Sequence, residues 1–377
     1  MERRNLHLFL FLVLFYVTAV VSVYSQKQAL IKQVTEDGVV SDVEENEEDD
    51  HLLKSEFTSF VSRYSKSYET TEEHDHRYKI FRSNFRRAQR NQVLDPSATH
   101  GITKFSDLTT EEFESQYLGL KKPKPSIFQK TNPASIGTHE AATLPTTDLP
   151  EDFDWRDLGA VTPVKDQGVC GSCWSFSAAA ALEGANYLAT GKLIGLSEQQ
   201  MVDCDHVCDP TDSRSCDAGC NGGLMTNAFS YLMQSGGLES EKDYPYTGSD
   251  GTCKFDKSKI AASVANFSVI SSDEDQIAAN LVKYGPLAVG INAAFMQTYI
   301  GGVSCPYICF KNYLDHGVLL VGYGASGYSQ LRFKNKPYWI IKNSWGDSWG
   351  EDGYYKICRG NNICGVDSMV SSVAATN

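Results

Sequence analysis

The chain predicts an α+β fold, helical first and β-rich later, led by a helical N-terminal segment. One sign is Ser175 to Ala189, where Ala178 to Ala181, Leu182 and Glu183 are strong helix formers whose helix should start near Cys173. Another is the half after about Ala261, where short β-type runs (Leu287 to Ile291, Val318 to Val321, Tyr338 to Lys342) alternate with Gly and Pro turns. Far upstream, Glu73, Arg77, Phe81, Asn84, Ala88 and Gln92 recur at helical spacing and line one face.

Residues 1–25 open with Arg3 and Arg4, continue through apolar Leu8 to Val23 and end in Val23-Tyr24-Ser25, the pattern of a cleaved signal peptide. A membrane anchor fits less well, because the run is short for a span and lacks a basic stop-transfer flank. No later segment is apolar enough to cross a bilayer, so the chain is expected in the secretory pathway without a membrane partner after signal removal. Residues 26–148 are polar and charged. Their acidic run Glu44 to Asp50 reads as a solvated stretch, and Lys121 to Pro133 as a linker. Gly101-Ile102-Thr103-Lys104-Phe105-Ser106-Asp107 reads as a turn-and-strand element, with Gly101 supplying backbone freedom. From Leu149 the composition turns to Gly, Trp, Tyr, Cys and β-branched residues, enough for one large or two small domains. There Leu196 to Met201 offers a further helix with Ser197 as its N-cap.

The formal net charge of -13 argues against nucleic-acid binding, which needs clustered Lys and Arg on phosphates. The 11 cysteines are an odd number, so at least one thiol is left over if the others pair.

Gln167 to Phe176 reads Gln-Gly-Val-Cys-Gly-Ser-Cys-Trp-Ser-Phe. Its cysteines, Cys170 and Cys173, fit a nucleophile site, a redox CxxC or half of a zinc site. Cys173 stands where a helix N-terminus would favour a thiolate. His316, in Leu314-Asp315-His316-Gly317-Val318, stands at the mouth of an apolar strand and is the candidate imidazole. The strand Tyr338 to Gly346 contains Asn343, which could fix the imidazole tautomer, and Trp345, which could shield that bond from water. The Gln167 side-chain N–H, with the backbone N–H of Cys173, could stabilise an oxyanion.

Cys170-Gly-Ser-Cys173-Trp, His316-Gly, Asn343-Ser-Trp345 and Asp154-Trp155-Arg156 together resemble the papain family of cysteine proteases, in the family's order and over nearly the whole chain. The stripe ending in Ala88 and Gln92 resembles the prosegment of the cathepsin F-like branch, including its plant members. Thr103 stands where the family's inhibitory GxNxFxD element has Asn. The resemblance implies a papain-like two-domain fold, a helical left domain and a β-barrel-like right domain, with the site in the groove between. It implies a signal peptide at 1–25, an inhibitory propeptide at 26–148 and a peptidase domain at 149–377.

In that scheme Cys173 attacks a peptide carbonyl, and His316 protonates the leaving amine and then activates water. Asn343 orients the imidazole and Gln167 completes the oxyanion hole. Gly222 and Gly223 form a backbone ladder for substrate, with Asp315 and Trp345 as further substrate contacts. Leu224, Met225, Gly290 and Leu314, with Met369 at the floor, line an uncharged S2 pocket for Leu or Phe. No metal and no cofactor are required.

By similarity Cys170 pairs with Cys220, Cys204 with Cys253, and Cys309 with Cys364. Cys208 and Cys216 could close a small loop and Cys305 and Cys358 could form a fifth bridge, the pairing among Cys305, Cys309, Cys358 and Cys364 staying open. A zinc site at Cys204, Cys208, Cys216 and Cys220 is the alternative. Expected partners are protein and peptide substrates, the chain's own propeptide and cystatin-like inhibitors, for a monomer. Lysosome or vacuole is favoured over secretion, with Asn266-Phe267-Ser268 as a glycosylation sequon. Acid should release the prosegment through Asp107, Glu73 and Arg77, followed by a cut between Gln129 and Leu149. The rival readings are a papain-fold protein without activity and a redox CxxC protein.

Overall fold

The computed structural model describes residues 47–121, 138–209, 212–327 and 336–376. The expected signal peptide and the stretch from Gln129 to residue 137 of the expected cleavage region lie outside the described residues. The chain divides into two compact units, one ending at Ser62 and one beginning at Arg63. The first contains nearly all of helix α1 (Glu47–Arg63), whose Phe57 and Phe60 rings stack at 6.0 Å. The last four residues of the acidic run form the start of α1.

The second unit begins with the striped helix α2 (Thr71–Leu94), capped by Thr70, whose hydroxyl accepts from Glu73 N–H. Phe81, Asn84 and Ala88 of the stripe are buried, as the spacing predicts. Asn84 is on that face because its amide donates to the carbonyls of Ser106 and Leu108, at 2.9 and 2.8 Å. Helix α3 (Thr110–Tyr117) follows, held by a capping box between Thr109 and Glu112. Between them the short strand Ala98–His100 pairs antiparallel with Tyr299–Ser304. Gly101 has an ordinary φ; what it supplies is room, since a Cβ there would stand 2.7 Å from Ile300 Cδ1.

Helix α4 (Cys173–Thr190) ends at left-handed Gly191 and is buried over most of its length, as an alanine-rich helix without a polar face must be. Helix α5 (Glu198–Cys204) carries the expected Ser197 cap, which accepts from Gln200 N–H. Helices α6 (Met225–Ser235) and α7 (Glu274–Tyr284) were not anticipated; α7 lies in the half expected to be β-rich, started by Asp273, which accepts from two N–H groups.

The main sheet runs in the order Ala98–His100, Tyr299–Ser304, Tyr354–Cys358, Lys336–Lys342, His316–Gly327, Leu287–Ile291, Val370–Ala375, Val264–Ile270, Thr138–Glu140. Among the described residues it stays open and does not close into a barrel. Alternation of side chains divides its interior strands between two cores. Val289, Val318, Leu320 and Ile341 join α7 and the tryptophans Trp339, Trp345 and Trp349, whereas Ala288, Leu319, Val321 and Ile340 join α4 and α6. The mouth of this sheet, where His316 starts its strand, meets the first turn of α4.

Candidate active site

Cys173, the first residue of α4, is fully buried. Its Sγ accepts backbone N–H groups from Gly119 and Gly317, each at 3.3 Å. His316 begins its strand in register with Ile291. Its Nε2 lies 2.7 Å from Asn343 Oδ1, and the same oxygen accepts Ser344 N–H at 2.8 Å. That second bond orients the amide with its oxygen toward the ring, so Nε2 must carry the proton. Nδ1 then has no hydrogen-bond partner among the described residues and is left as the free base nitrogen. The Trp345 ring stacks on the imidazole at 4.6 Å and closes it off from water.

Burial pushes the Cys173 thiol up to about 11, although N–H groups of Gly317, Gly119 and Trp174 oppose it. Burial also lowers His316 to about 4, against the Asn343 bond. In this closed form both groups are neutral, rather than the thiolate and imidazolium that a nucleophile requires.

What closes the site is the N-terminal segment itself. The Gln167 amide donates to the Tyr117 carbonyl at 3.1 Å and to the Cys170 carbonyl at 2.8 Å, and its Oε1 accepts from Ser344 Oγ at 2.6 Å. Gly223 N–H donates to the Gly119 carbonyl at 2.9 Å, and Lys121 N–H donates to the Gly223 carbonyl at 3.0 Å. Leu120 pairs parallel to Gly223 and donates its N–H to the Asp315 carbonyl at 3.1 Å. The segment is added to the groove as a strand is added to a sheet edge. Gly222 permits this close approach, because a Cβ there would stand 2.4 Å from the Gly119 carbonyl oxygen.

The Leu120 side chain is buried with Leu224, Met225, Leu314 and Met369. Gly290 completes the wall, since a Cβ on it would lie 2.9 Å from Leu120 Cδ2 and 3.1 Å from Met369 Sδ. The residues singled out as a pocket thus converge around a leucine. Gly222 lies beside Gly119.

Further back, Phe105, Phe113 and Tyr117 range their rings against Trp345 at 5.1, 5.4 and 6.5 Å. Thr103, in the position where Asn was expected, donates its hydroxyl to the Gln297 carbonyl at 2.6 Å. The buried Asp95 carboxylate accepts from Ser304 Oγ and Cys305 N–H and lies 3.1 Å from His100 Nε2. Each of the three charged residues expected to sense acid has a partner of opposite charge. Arg77 pairs with Glu112 at 2.7 Å and reaches only the backbone carbonyl of Asp107, while Glu73 is 3.9 Å away. The Asp107 carboxylate is held by Lys66 and Tyr68, at 2.8 and 3.1 Å.

Five disulfides join Cys170 to Cys220, Cys204 to Cys253, Cys208 to Cys216, Cys305 to Cys358 and Cys309 to Cys364, leaving Cys173 as the free thiol. These pairings overturn both the zinc alternative and the redox one, since Cys170 is bonded to Cys220 and not poised against Cys173. Asn266 is half-buried on its strand, opposite Ala374. Among the described residues no helix is long and apolar enough to cross a membrane.

Sequence reasoning missed Tyr117, Gly119 and Leu120. The available signal was a glycine beside a leucine between a helix and a Lys/Pro-rich run.

A groove with one free thiol, sealed by the chain's own N-terminal segment, defines a cysteine-type endopeptidase made as a zymogen. Residues 149–374 match the papain family cysteine protease domain and residues 57–113 the cathepsin propeptide inhibitor domain, and the chain belongs to the papain family. It is 65% identical to cysteine proteinase 1 of Zea mays over 95% of each chain. It is 63% identical to cysteine proteinase 15A of Pisum sativum over 100% of this chain and 99% of that one. Its likeness to cathepsin F of Mus musculus is 45% over 84% of this chain and 64% of the relative. Among solved structures, procathepsin L2 from Tenebrio molitor larval midgut superposes with a TM-score of 0.72 at 34% identity, covering 85% of this chain and 99% of that one.

Proposed function

We propose that residues 149–377 form the mature enzyme and that it cleaves peptide bonds through Cys173 and His316. Once residues 26–148 leave the groove, water and the helix dipole reach the thiol and the imidazole, and the proton passes from Sγ to Nδ1. The thiolate attacks the carbonyl carbon. The oxygen takes up the electron pair between the Gln167 amide and the Cys173 N–H. Imidazolium then gives its proton to the departing amine, leaving a thioester. Water, losing a proton to His316, releases the acid and restores the thiol. Asn343 keeps Nε2 protonated throughout, so that Nδ1 is the nitrogen that cycles.

The observation that carries this reading is the placement of the prosegment backbone. Gly119 N–H sits on Cys173 Sγ, the Tyr117 carbonyl sits on the Gln167 amide, and Leu120 fills the pocket, as a peptide ligand of the same groove would. Leu120 supports a preference for Leu or Phe at P2. Gly222, Gly223, Asp315 and Trp345 complete the substrate contacts.

A signal at 1–25, disulfides and the Asn266 sequon favour a secretory route, and likeness to cathepsin F favours an acidic lysosome or vacuole. We read the enzyme as a monomer that cystatin-like inhibitors would recognise, with its maturation cut between Gln129 and Leu149. The test is labelling with a Leu-containing epoxide peptide after acid maturation. Label on Cys173 with loss of peptidase activity is expected, and Cys173→Ser should neither label nor cleave. Full activity in Cys173→Ser would refute the assignment.

A further inference from the structure

Directly behind the Gly222 to Leu224 strip, two acids are buried against each other. Asp205 caps α5 and is 0% exposed, and Asp217, just after the hairpin closed by Cys208 and Cys216, is 2% exposed. Asp217 Oδ1 accepts Leu224 N–H at 2.8 Å and the Asn227 amide at 3.1 Å. Asp205 Oδ1 accepts Val207 N–H at 2.9 Å, and Val207 in turn takes Asp217 N–H on its carbonyl at 2.9 Å. The other oxygen of each carboxyl, Oδ2, has no N–H or hydroxyl donor among the described residues. A Cβ on Gly223 would stand 2.7 Å from Asp217 Oδ1, so this carboxyl touches the residue that carries the backbone ladder.

Among the described residues no Lys or Arg is bonded to the pair. The donors that reach it are amide N–H groups. On α5, the Asp203 carboxylate is occupied by Gln199, Tyr244 and Gly251. On α6, the facing side chains are Asn227 and Tyr231. The loop and hairpin contribute exposed His206 and the buried acids Asp209 and Asp212. Asp250 is bonded to Cys220 N–H at 2.7 Å, and Lys121 of the prosegment directs its Nζ to the Cys216 carbonyl. Two carboxylates buried together without a cation cannot both ionise, and the stable arrangement is one shared proton. Burial pushes both upward, Asp205 to about 7 against the hydrogen bonds from Asp217 and Val207, and the neighbouring Asp205 raises Asp217 further.

We propose that Asp205 and Asp217 are positioning residues that hold the Gly223–Leu224 backbone through a shared proton, so that the groove grips extended peptides in acid and slackens as the second carboxyl ionises. This rests on the reading of Gly223 and Leu224 as substrate contacts. The sign follows from which state keeps the proton. Both carboxyls are raised in the folded pair, so its contribution is complete below the ordinary carboxylate range and is lost as pH rises through the raised values, about 7 for Asp205 and well above the ordinary value for Asp217.

The experiment uses enzyme matured from the full chain and an uncharged dipeptide amide with Leu at P2. In the unaltered enzyme KM should rise roughly tenfold between pH 5 and pH 7.5, the change expected from about one unit of differential ionisation. In Asp217→Asn and in Asp205→Asn, where an amide replaces the protonated acid, the ratio of the two KM values should fall to within about twofold of one. Should the variants fail to fold, the unaltered enzyme still decides. Hydrogen exchange at the Leu224 amide, corrected for its intrinsic pH dependence, should speed up over the same interval. An unchanged KM ratio in folded variants, or a Leu224 amide equally protected at both pH values, overturns the pair's role while leaving the parent reading intact. If alkylating Cys173 with iodoacetamide leaves turnover undiminished, both readings fall together.

Discussion

Leu120→Ala in the intact zymogen isolates what the pocket contributes to latency. The Leu120 side chain is 7% exposed and packed among Leu224, Met225, Leu314 and Met369. Truncating a leucine in such a site costs about 2–5 kcal/mol in a protein core, and a pocket that opens to a groove collapses or hydrates enough to favour the lower end. About 2–3 kcal/mol corresponds to a roughly 30- to 150-fold larger population with the groove open. The assay is the rate at which iodoacetamide modifies Cys173 at neutral pH, read by intact mass before any maturation. In the closed form the thiol is buried and held neutral by burial, so modification must pass through the open form. The labelling rate should therefore rise by the same factor. A rate within about twofold of the parent would mean that Leu120 fills the pocket without holding the segment down.

The remaining expectations concern the same groove. Gly119→Ala would drive a methyl group into the Gly171 backbone, which cannot yield, so the zymogen should show peptidase activity without acid treatment. Gln167→Ala should lower kcat of the mature enzyme about 10²- to 10³-fold while KM changes little, because its amide acts on the charge that develops in the transition state. Burial opposes ionisation of Glu112, but Arg77 and the Thr109 N–H outweigh it and hold the carboxyl below its usual range. A depressed value means that the pair's contribution is present above the ordinary carboxylate range and is lost only as pH falls through the lowered one. Glu112→Gln should thus speed maturation at pH 5 and above, and the difference from the parent should vanish in stronger acid. Substrates with Arg at P2 should be turned over at least about tenfold less efficiently than those with Leu, since the described residues around Leu120, namely Leu224, Met225, Gly290, Leu314 and Met369, carry no carboxylate.

The sequence made the catalytic half of this site legible because its signals are local. Cys173 opens an alanine-rich helix, and Ser197 is followed by a helix that it caps. Helix α7 was readable on the same grounds, from Asp273 and the acids after it, but the surrounding β-type runs masked it. The seal was not legible. Leu120 meets Gly223 and Met369 across long stretches of chain, and nothing in its neighbours announces that pairing. Arg77 illustrates the same limit at shorter range. The stripe placed it on the right face beside Glu73, 3.9 Å away, but its closer partner Glu112 comes from the capping box of another helix, 35 residues on. The Asp205–Asp217 contact was hidden for another reason: acids in a polar insertion read as solvated, and only burial by α5 and α6 makes them a pair.

The strip from Tyr117 to Lys121 is covalently part of the molecule it plugs, and this makes a single tether the control element. While the chain is intact, a tethered segment meets the groove at an effective concentration on the order of millimolar, whatever the amount of protein present. One hydrolysed bond beyond Lys121 turns the plug into a separate ligand whose occupancy depends on how much of it surrounds the enzyme. Dilution then becomes an activator. A crowded storage compartment would keep freshly cut molecules occupied, and emptying that compartment into a larger volume would release them together, without any further chemistry.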